Sequence, residues 1–221
     1  MDDLTRRFLT GSITPVDPAP LPLPIRPEEP LFFAGSCFAE NLYRFWRGHF
    51  LPAGLSPFGN TYNPLSLLET FRRLFSDKPI REEELFFHQG LWRHSLFDTF
   101  CTGPEKGPLR EELNSLIRSG REQLKNSRIL VLTAGTAFVY RETAGGGVVN
   151  NCHKRPGGDF VRECLRFGEI RDALGELCAL ACREIPGIRI ILTLSPVRHL
   201  RDSPEENSLS KALLQIGRAH V

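Results

Sequence analysis

The chain has 221 residues, 41% of them hydrophobic, and carries 28 Lys and Arg against 26 Asp and Glu for a formal charge of +2. That size buries one sizeable core and hardly two, and so balanced a charge gives neither a nucleic-acid footprint nor an acidic tail. The opening MDDLTRRFLT leads into no apolar h-region, and no apolar run reaches the length of a membrane span. The six cysteines show no CxxC spacing, so neither a disulfide framework nor a metal site is indicated and a reducing cytoplasm fits best.

Residues 1–30 read as a Pro-rich arm, because Pro15, Pro18, Pro20, Pro22, Pro24, Pro27 and Pro30 exclude helix and favour an extended path. Leu31 to Ala34 is an aromatic, apolar run expected as a buried strand. Phe38, Leu42, Phe45, Trp46 and His49 then recur at spacings of three and four, which predicts a helix from near Cys37. Gly35 and Ser36 fall at the strand-to-helix turn, where the first helical amides have no internal partners and favour an anion. Ser36 is therefore either an N-cap or a nucleophile. Cys37 is a rival nucleophile, set against a structural role in helix packing.

A second strand is expected near Leu51 to Leu55, a helix over Asn63 to Phe75, a hairpin within Glu84 to Phe97, and a polar helix over Arg110 to Lys125. Ile129 to Leu132 reads as a buried strand entering a polar turn at Thr133 to Thr136. After it come an excursion of two short strands around Gly145 to Gly147 and then a loop. Asp159 to Ile185 carries one apolar stripe and is expected as a single long helix. Ile188 to His199 is a last buried strand that ends in another polar turn. Cys178 and Cys182, one turn apart, read as core packing before metal binding, and Cys152 with His153 supplies too few ligands for a metal site. Buried strands alternating with amphipathic helices predict a parallel sheet covered on both faces, with its polar turns converging along the edge where ligands bind.

Six stretches together resemble the GSCFA family: AGSCFAE from Ala34, SPFGNTYNP from Ser56, LTAGTAFVY from Leu132, NCHKRP from Asn151, LTLSPVRHLRD from Leu192 and NSLSKALL from Asn207. The resemblance implies the SGNH or GDSL type of hydrolase: a flavodoxin-like α/β/α sandwich with a mostly parallel sheet and a Ser nucleophile. It implies cleavage of a small-molecule or glycan acyl ester without a cofactor. By position Ser36 is the nucleophile and its own amide an oxyanion donor, while Gly59 and Asn60 form the second block. The third block reads Gly135, Thr136, Ala137 where an Asn is usual, which leaves Asn60 or the Thr136 hydroxyl to stand in. Asn151 and His153 are candidate substrate contacts.

The family type also implies an Asp-x-x-His turn, and none follows Leu192 to His199; His199 has Pro196 three residues before it. His199 is left as a surrogate base or a substrate contact. The last strand and helix of the fold are expected to be missing, so residues 31–214 would be an incomplete hydrolase-like domain and the chain as given nearly inactive. Residues 215–221 match in part what a common sequencing-adaptor read encodes, and are expected to be a scar. Two other readings stand beside the hydrolase: a non-catalytic ligand-binding α/β domain, and an interaction domain whose Pro-rich arm docks a partner.

Overall fold

The computed structural model describes residues 24–199 and 202–221, so most of the expected Pro-rich arm lies outside the described residues. In chain order the elements are β1 (Leu31–Gly35), α1 (Cys37–Gly48), β2 (Ala53–Leu55), α2 (Pro64–Phe75), β3 (Phe86–His88), β4 (Leu91–Arg93) and α3 (Lys106–Lys125). They continue as β5 (Ile129–Ala134), β6 (Phe138–Glu142), β7 (Val148–Val149), β8 (Phe160–Cys164), α4 (Phe167–Glu184), β9 (Arg189–Leu194) and α5 (Pro204–Arg218).

Four strands form one parallel sheet in the order β2-β1-β5-β9. All of β1 and β5 is buried, as their unbroken apolar runs require, whereas β9 is half-buried along its whole length because it lies at the sheet edge. Side chains alternate across the sheet. Phe32, Ala34, Leu130 and Leu132 pack with Leu67, Phe71, Leu113 and Leu177 from α2, α3 and α4. On the other face Leu31, Phe33, Ile129 and Val131 pack with Ala39, Leu42, Tyr43 and Trp46 of α1 and with Ile25. The architecture is thus α/β, with helices on both faces of a parallel sheet.

Local sequence explains most element ends. Asn63 caps α2 by accepting from the Ser66 amide at 2.8 Å, and Pro64 takes the first helical position, where its missing N–H costs nothing. The β3–β4 hairpin turns through Gln89 and Gly90, both at positive φ, as a two-residue type I′ turn demands.

Two expectations are corrected. Asp159 to Ile185 is not one helix: Gly157–Asp159 is a 3-10 turn, β8 follows and pairs antiparallel with β6, and only then does α4 begin. Phe160 and Cys164 satisfy a four-residue spacing and an alternating one equally. The deciding contact is long-range: the Arg162 guanidinium lies 3.6 Å from the centre of the Phe138 ring on the paired strand. In α1 the inward face is Ala39, Leu42, Tyr43 and Trp46, so Phe45 is 61% exposed and stacks on His49 at 4.3 Å instead of entering the core. Residues 215–218 continue α5, where Gly217 lies tight against Ile170.

Candidate functional site

β1 connects outward to β2 on one side, and the chain then crosses to β5 on the other side of β1. The carboxyl ends of β1 and β5 therefore flank a topological switch point, the usual ligand crevice of an open parallel sheet. Ser36 follows β1 and Gly135 follows β5. They touch closely: a methyl group added at Gly135 would stand 3.2 Å from the Ser36 Cβ and 3.2 Å from the Tyr62 ring. Gly35 holds φ +134 in the same turn, and a Cβ there would reach 2.1 Å from the Thr133 carbonyl oxygen, so the approach of β1 to β5 requires glycine.

Ser36 is the N-cap of α1; its Oγ accepts from the Phe38 amide at 3.3 Å. The loop after β2 closes over it. The Thr61 amide donates to the Gly35 carbonyl at 2.8 Å, and the Tyr62 carbonyl accepts from the amides of Gly135 at 2.7 Å and Thr136 at 3.0 Å. Ser36 is left 1% exposed. Cys37, at the first position of α1, is half-buried.

The expected oxyanion donors are mostly engaged within the fold. The Ser36 amide donates to the Thr133 carbonyl at 3.0 Å. Asn60 donates through its side chain to Glu40 Oε2 at 3.1 Å, and its amide points to Asp98 Oδ2 at 3.4 Å. The Thr136 hydroxyl is shared with Ser210 Oγ at 3.2 Å and accepts from the Phe138 amide at 3.1 Å. Gly59 adopts φ +77 with its α-carbon turned to Asp98, so the second block again needs glycine for the backbone path.

Beside this closed turn lies a cleft of 620 Å³ whose lining includes Tyr62, Thr136, Tyr140, Asn151, His153 and His199. Asn151 shapes the cleft wall: its Oδ1 accepts from the His153 amide at 2.8 Å and its Nδ2 donates to Thr99 Oγ1 at 3.0 Å. His153 is 1% exposed, and its Nε2 lies 3.0 Å from the His94 carbonyl. A carbonyl only accepts, so Nε2 carries the proton, and burial holds this imidazole below its ordinary pKa. A larger groove of 940 Å³ lies beside the β3–β4 hairpin, but its charged walls already pair, as in Arg73 with Glu84 and Arg155 with Glu142, and His199 does not line it; Ser36 lines neither cavity.

His199 sits at the cleft with Tyr62 edge-on to its ring at 6.1 Å. Its Nδ1 stands 3.2 Å from Asp202 Oδ1, an ion-pair distance that is not aligned as a hydrogen bond. Three residues that the sequence reasoning passed over thus belong here. Asp202 is 3 residues after His199 and not before it, so a search for Asp-x-x-His misses it. Arg162 Nη2 donates to the same Asp202 Oδ1 at 2.7 Å. Lys211, inside the NSLSKALL stretch, donates from Nζ to the carbonyls of Gly135 at 2.7 Å and Ser195 at 2.8 Å, and its half-burial lowers its pKa. With Ser210 Oγ accepting from the Ala137 amide at 2.7 Å, α5 clamps the turns that follow β5 and β9.

Among the described residues no cluster of three or more His, Cys, Asp or Glu is placed to hold a metal ion, and no helix is long and apolar enough to cross a membrane. Neither the curated proteins nor the solved structures give a match to the chain. The GSCFA family model, in contrast, matches residues 30–220, a span that takes in every strand, the Ser36 turn, the cleft and the α5 clamp, and the chain belongs to the GSCFA family.

Proposed function

We propose that the chain is an SGNH-type ester hydrolase with Ser36 as its nucleophile, acting on a small-molecule or glycan acyl ester without a cofactor. The observation that carries this reading is the place of Ser36: a hydroxyl at a helix N-terminus, at the carboxyl end of β1, beside the switch point with β5. In the reaction the Ser36 Oγ bonds to the ester carbonyl carbon while its proton passes to a base. The carbon–oxygen bond to the alcohol then breaks and the alcohol leaves with that proton, and water releases the acid from the acyl-serine by the same steps in reverse. Loop 59–62 must lift to admit the ester, and lifting it frees the Gly135 and Thr136 amides from the Tyr62 carbonyl, and the Thr61 amide from the Gly35 carbonyl, as donors for the developing oxyanion.

A second reading, a ligand-binding domain without chemistry, is favoured by one observation: Ser36 is 1% exposed and already serves as a cap. Turnover of p-nitrophenyl acetate separates the two. Hydrolysis by the unaltered chain that falls at least about 10²-fold in Ser36→Ala, with the melting temperature kept, supports the nucleophile. Equal rates in the two proteins favour the binding domain.

A further inference from the structure

We propose that the groove beside the β3–β4 hairpin takes up an extended, basic peptide of a partner protein, which adds as a strand to the open edges of β3 at Phe87 and of β7 at Val148. Neither Ser36 nor His199 lines this groove, so the role is independent of any chemistry at Ser36.

Which backbone groups are open follows from the alternation of bonded and non-bonded pairs in antiparallel strands. The two-residue turn at Gln89 and Gly90 makes His88 and Leu91 a bonded pair, so Phe87 and Trp92 form the next, non-bonded pair and point their N–H and C=O groups away from each other. Trp92 uses its groups on the outer side, donating to the Gly103 carbonyl at 2.8 Å and accepting from the Gly103 amide at 3.3 Å. Phe87 points the opposite way, and among the described residues no backbone group outside the hairpin meets it. In β7 the Glu142 amide donates to the Gly147 carbonyl at 2.9 Å, which makes Val148 and Arg141 a non-bonded pair and turns the Val148 N–H and C=O away from β6. Asn150, two residues on and facing the same way, donates from its amide to the Ser95 carbonyl at 3.0 Å. Ser95 lines the groove, as Phe87 and Val148 do.

Edge strands are ordinarily shielded by Lys, Pro or an inward charge, and these two are not. β3 consists of Phe86, Phe87 and His88 and β7 of Val148 and Val149, with the Phe87 side chain standing 58% exposed beside its open edge. Strand addition takes affinity from such backbone groups and specificity from alternate side chains. Charge identifies the occupant. Five carboxylates line the groove against three guanidinium groups. Arg73 pairs with Glu84, and Arg155 with Glu142 and Asp159, whereas the exposed Glu83 makes no ion pair among the described residues. A peptide that alternates Lys or Arg with β-branched residues sets its cations on this acidic surplus and its apolar side chains against Phe87 and Val148.

The test is fluorescence anisotropy of the unaltered chain with a fluorescein-labelled peptide of four Lys-Val repeats. The expected result is saturable binding with Kd of about 10⁻⁴ M or tighter, weakened at least about tenfold when the same peptide is N-methylated at its backbone amides, which keeps its charge and side chains but removes its donors. Val148→Pro removes the outward N–H and leaves the bonds to β6, so it should weaken binding by a like factor, and Glu83→Lys should weaken it about threefold at low salt. The methylated peptide tests the backbone pairing without requiring any variant to fold. Equal binding of the two peptides, no binding of the Lys-Val peptide at about 1 mM, or tighter binding of a Glu-Val repeat overturns the proposal. A concentration-dependent dimer that Val148→Pro abolishes puts a second copy of the chain in the groove and overturns it as well.

Discussion

His94 makes the fold's stability depend on pH in a way that can be worked out. It lies in the turn after β4, 3% exposed, with Phe97 edge-on to its ring at 5.6 Å. Burial depresses its pKa from 6.5 to about 4, and the positive charge of Arg73 adds to that. The hydrogen bonding agrees: Nδ1 accepts from the Leu96 amide at 3.1 Å, so protonation would set one N–H against another. Glu84 Oε2, at 3.7 Å from Nε2, would favour the charged ring, but it is already paired with Arg73, and burial wins. A folded pKa below the unfolded one gives stability that is complete above pH 6.5 and is lost as the pH falls through the folded pKa. The loss is about 2 kcal/mol at pH 5 and about 3 kcal/mol at pH 4, at 1.36 kcal/mol per unit. Against a total of roughly 5–15 kcal/mol that is a large share. Urea unfolding at pH 7, 5 and 4 should show it, and His94→Asn, which keeps an acceptor for Leu96 but cannot titrate, should lower stability at pH 7 yet flatten the pH dependence by those amounts. Parallel pH profiles for the two proteins would refute the reasoning.

Gly35→Ala should destabilise by at least about 3 kcal/mol, because it forces a side chain into a left-handed backbone and against the Thr133 carbonyl; chemical unfolding that stays within about 1 kcal/mol of the unaltered chain would show that β1 can shift there. Tyr62→Ala should expose Ser36 to the cleft and raise its labelling by a fluorophosphonate, read by intact mass, by about tenfold if closure of the ring is worth ~1.4 kcal/mol. Unchanged labelling would mean that the backbone of loop 59–62, and not the ring, does the covering.

How much could be read from the sequence followed from how local each cause was. The runs of β1 and β5 are apolar at every position, which only a strand buried on both faces requires, and the Asn63–Pro64 start of α2 is fixed within four residues. β8 was hidden because Phe160, Cys164 and Phe167 fit a helical stripe until Phe138, more than 20 residues earlier, is known to lie beneath Arg162. The same division holds at the site. The Ser36, Gly135 and His199 turns were legible as strand ends carrying polar residues. Tyr62 over Gly135, Asp202 on Arg162 and Lys211 on the Gly135 carbonyl are pairings across long stretches of chain, and no local period records them.

The closed state of Ser36 weighs less against catalysis than it first suggests. What covers it at the strand ends is a loop held by three backbone hydrogen bonds: Thr61 to Gly35, and Gly135 and Thr136 to Tyr62. Each contributes on the order of 0.5–1.5 kcal/mol net, so lifting the loop costs about 1.5–4.5 kcal/mol, and the open form is populated roughly one to three powers of ten below the closed one. An apparent second-order rate falls by that same factor, because only the open form takes substrate. Enzymes commonly accelerate their reactions by 10⁶-fold or more, so such a factor is affordable for a hydrolase and is the normal behaviour of a lid. A ligand-binding domain would suffer the same loss in affinity, with no chemistry to need a serine beneath the lid. The cap role alone is met by Asn or Asp as well as by Ser, and Ser36 packs so closely on the turn after β5 that a Cβ added at Gly135 would fall 3.2 Å from its own Cβ. A small hydroxyl that caps a helix beside the switch point is the arrangement that the proposed acyl transfer to serine would use.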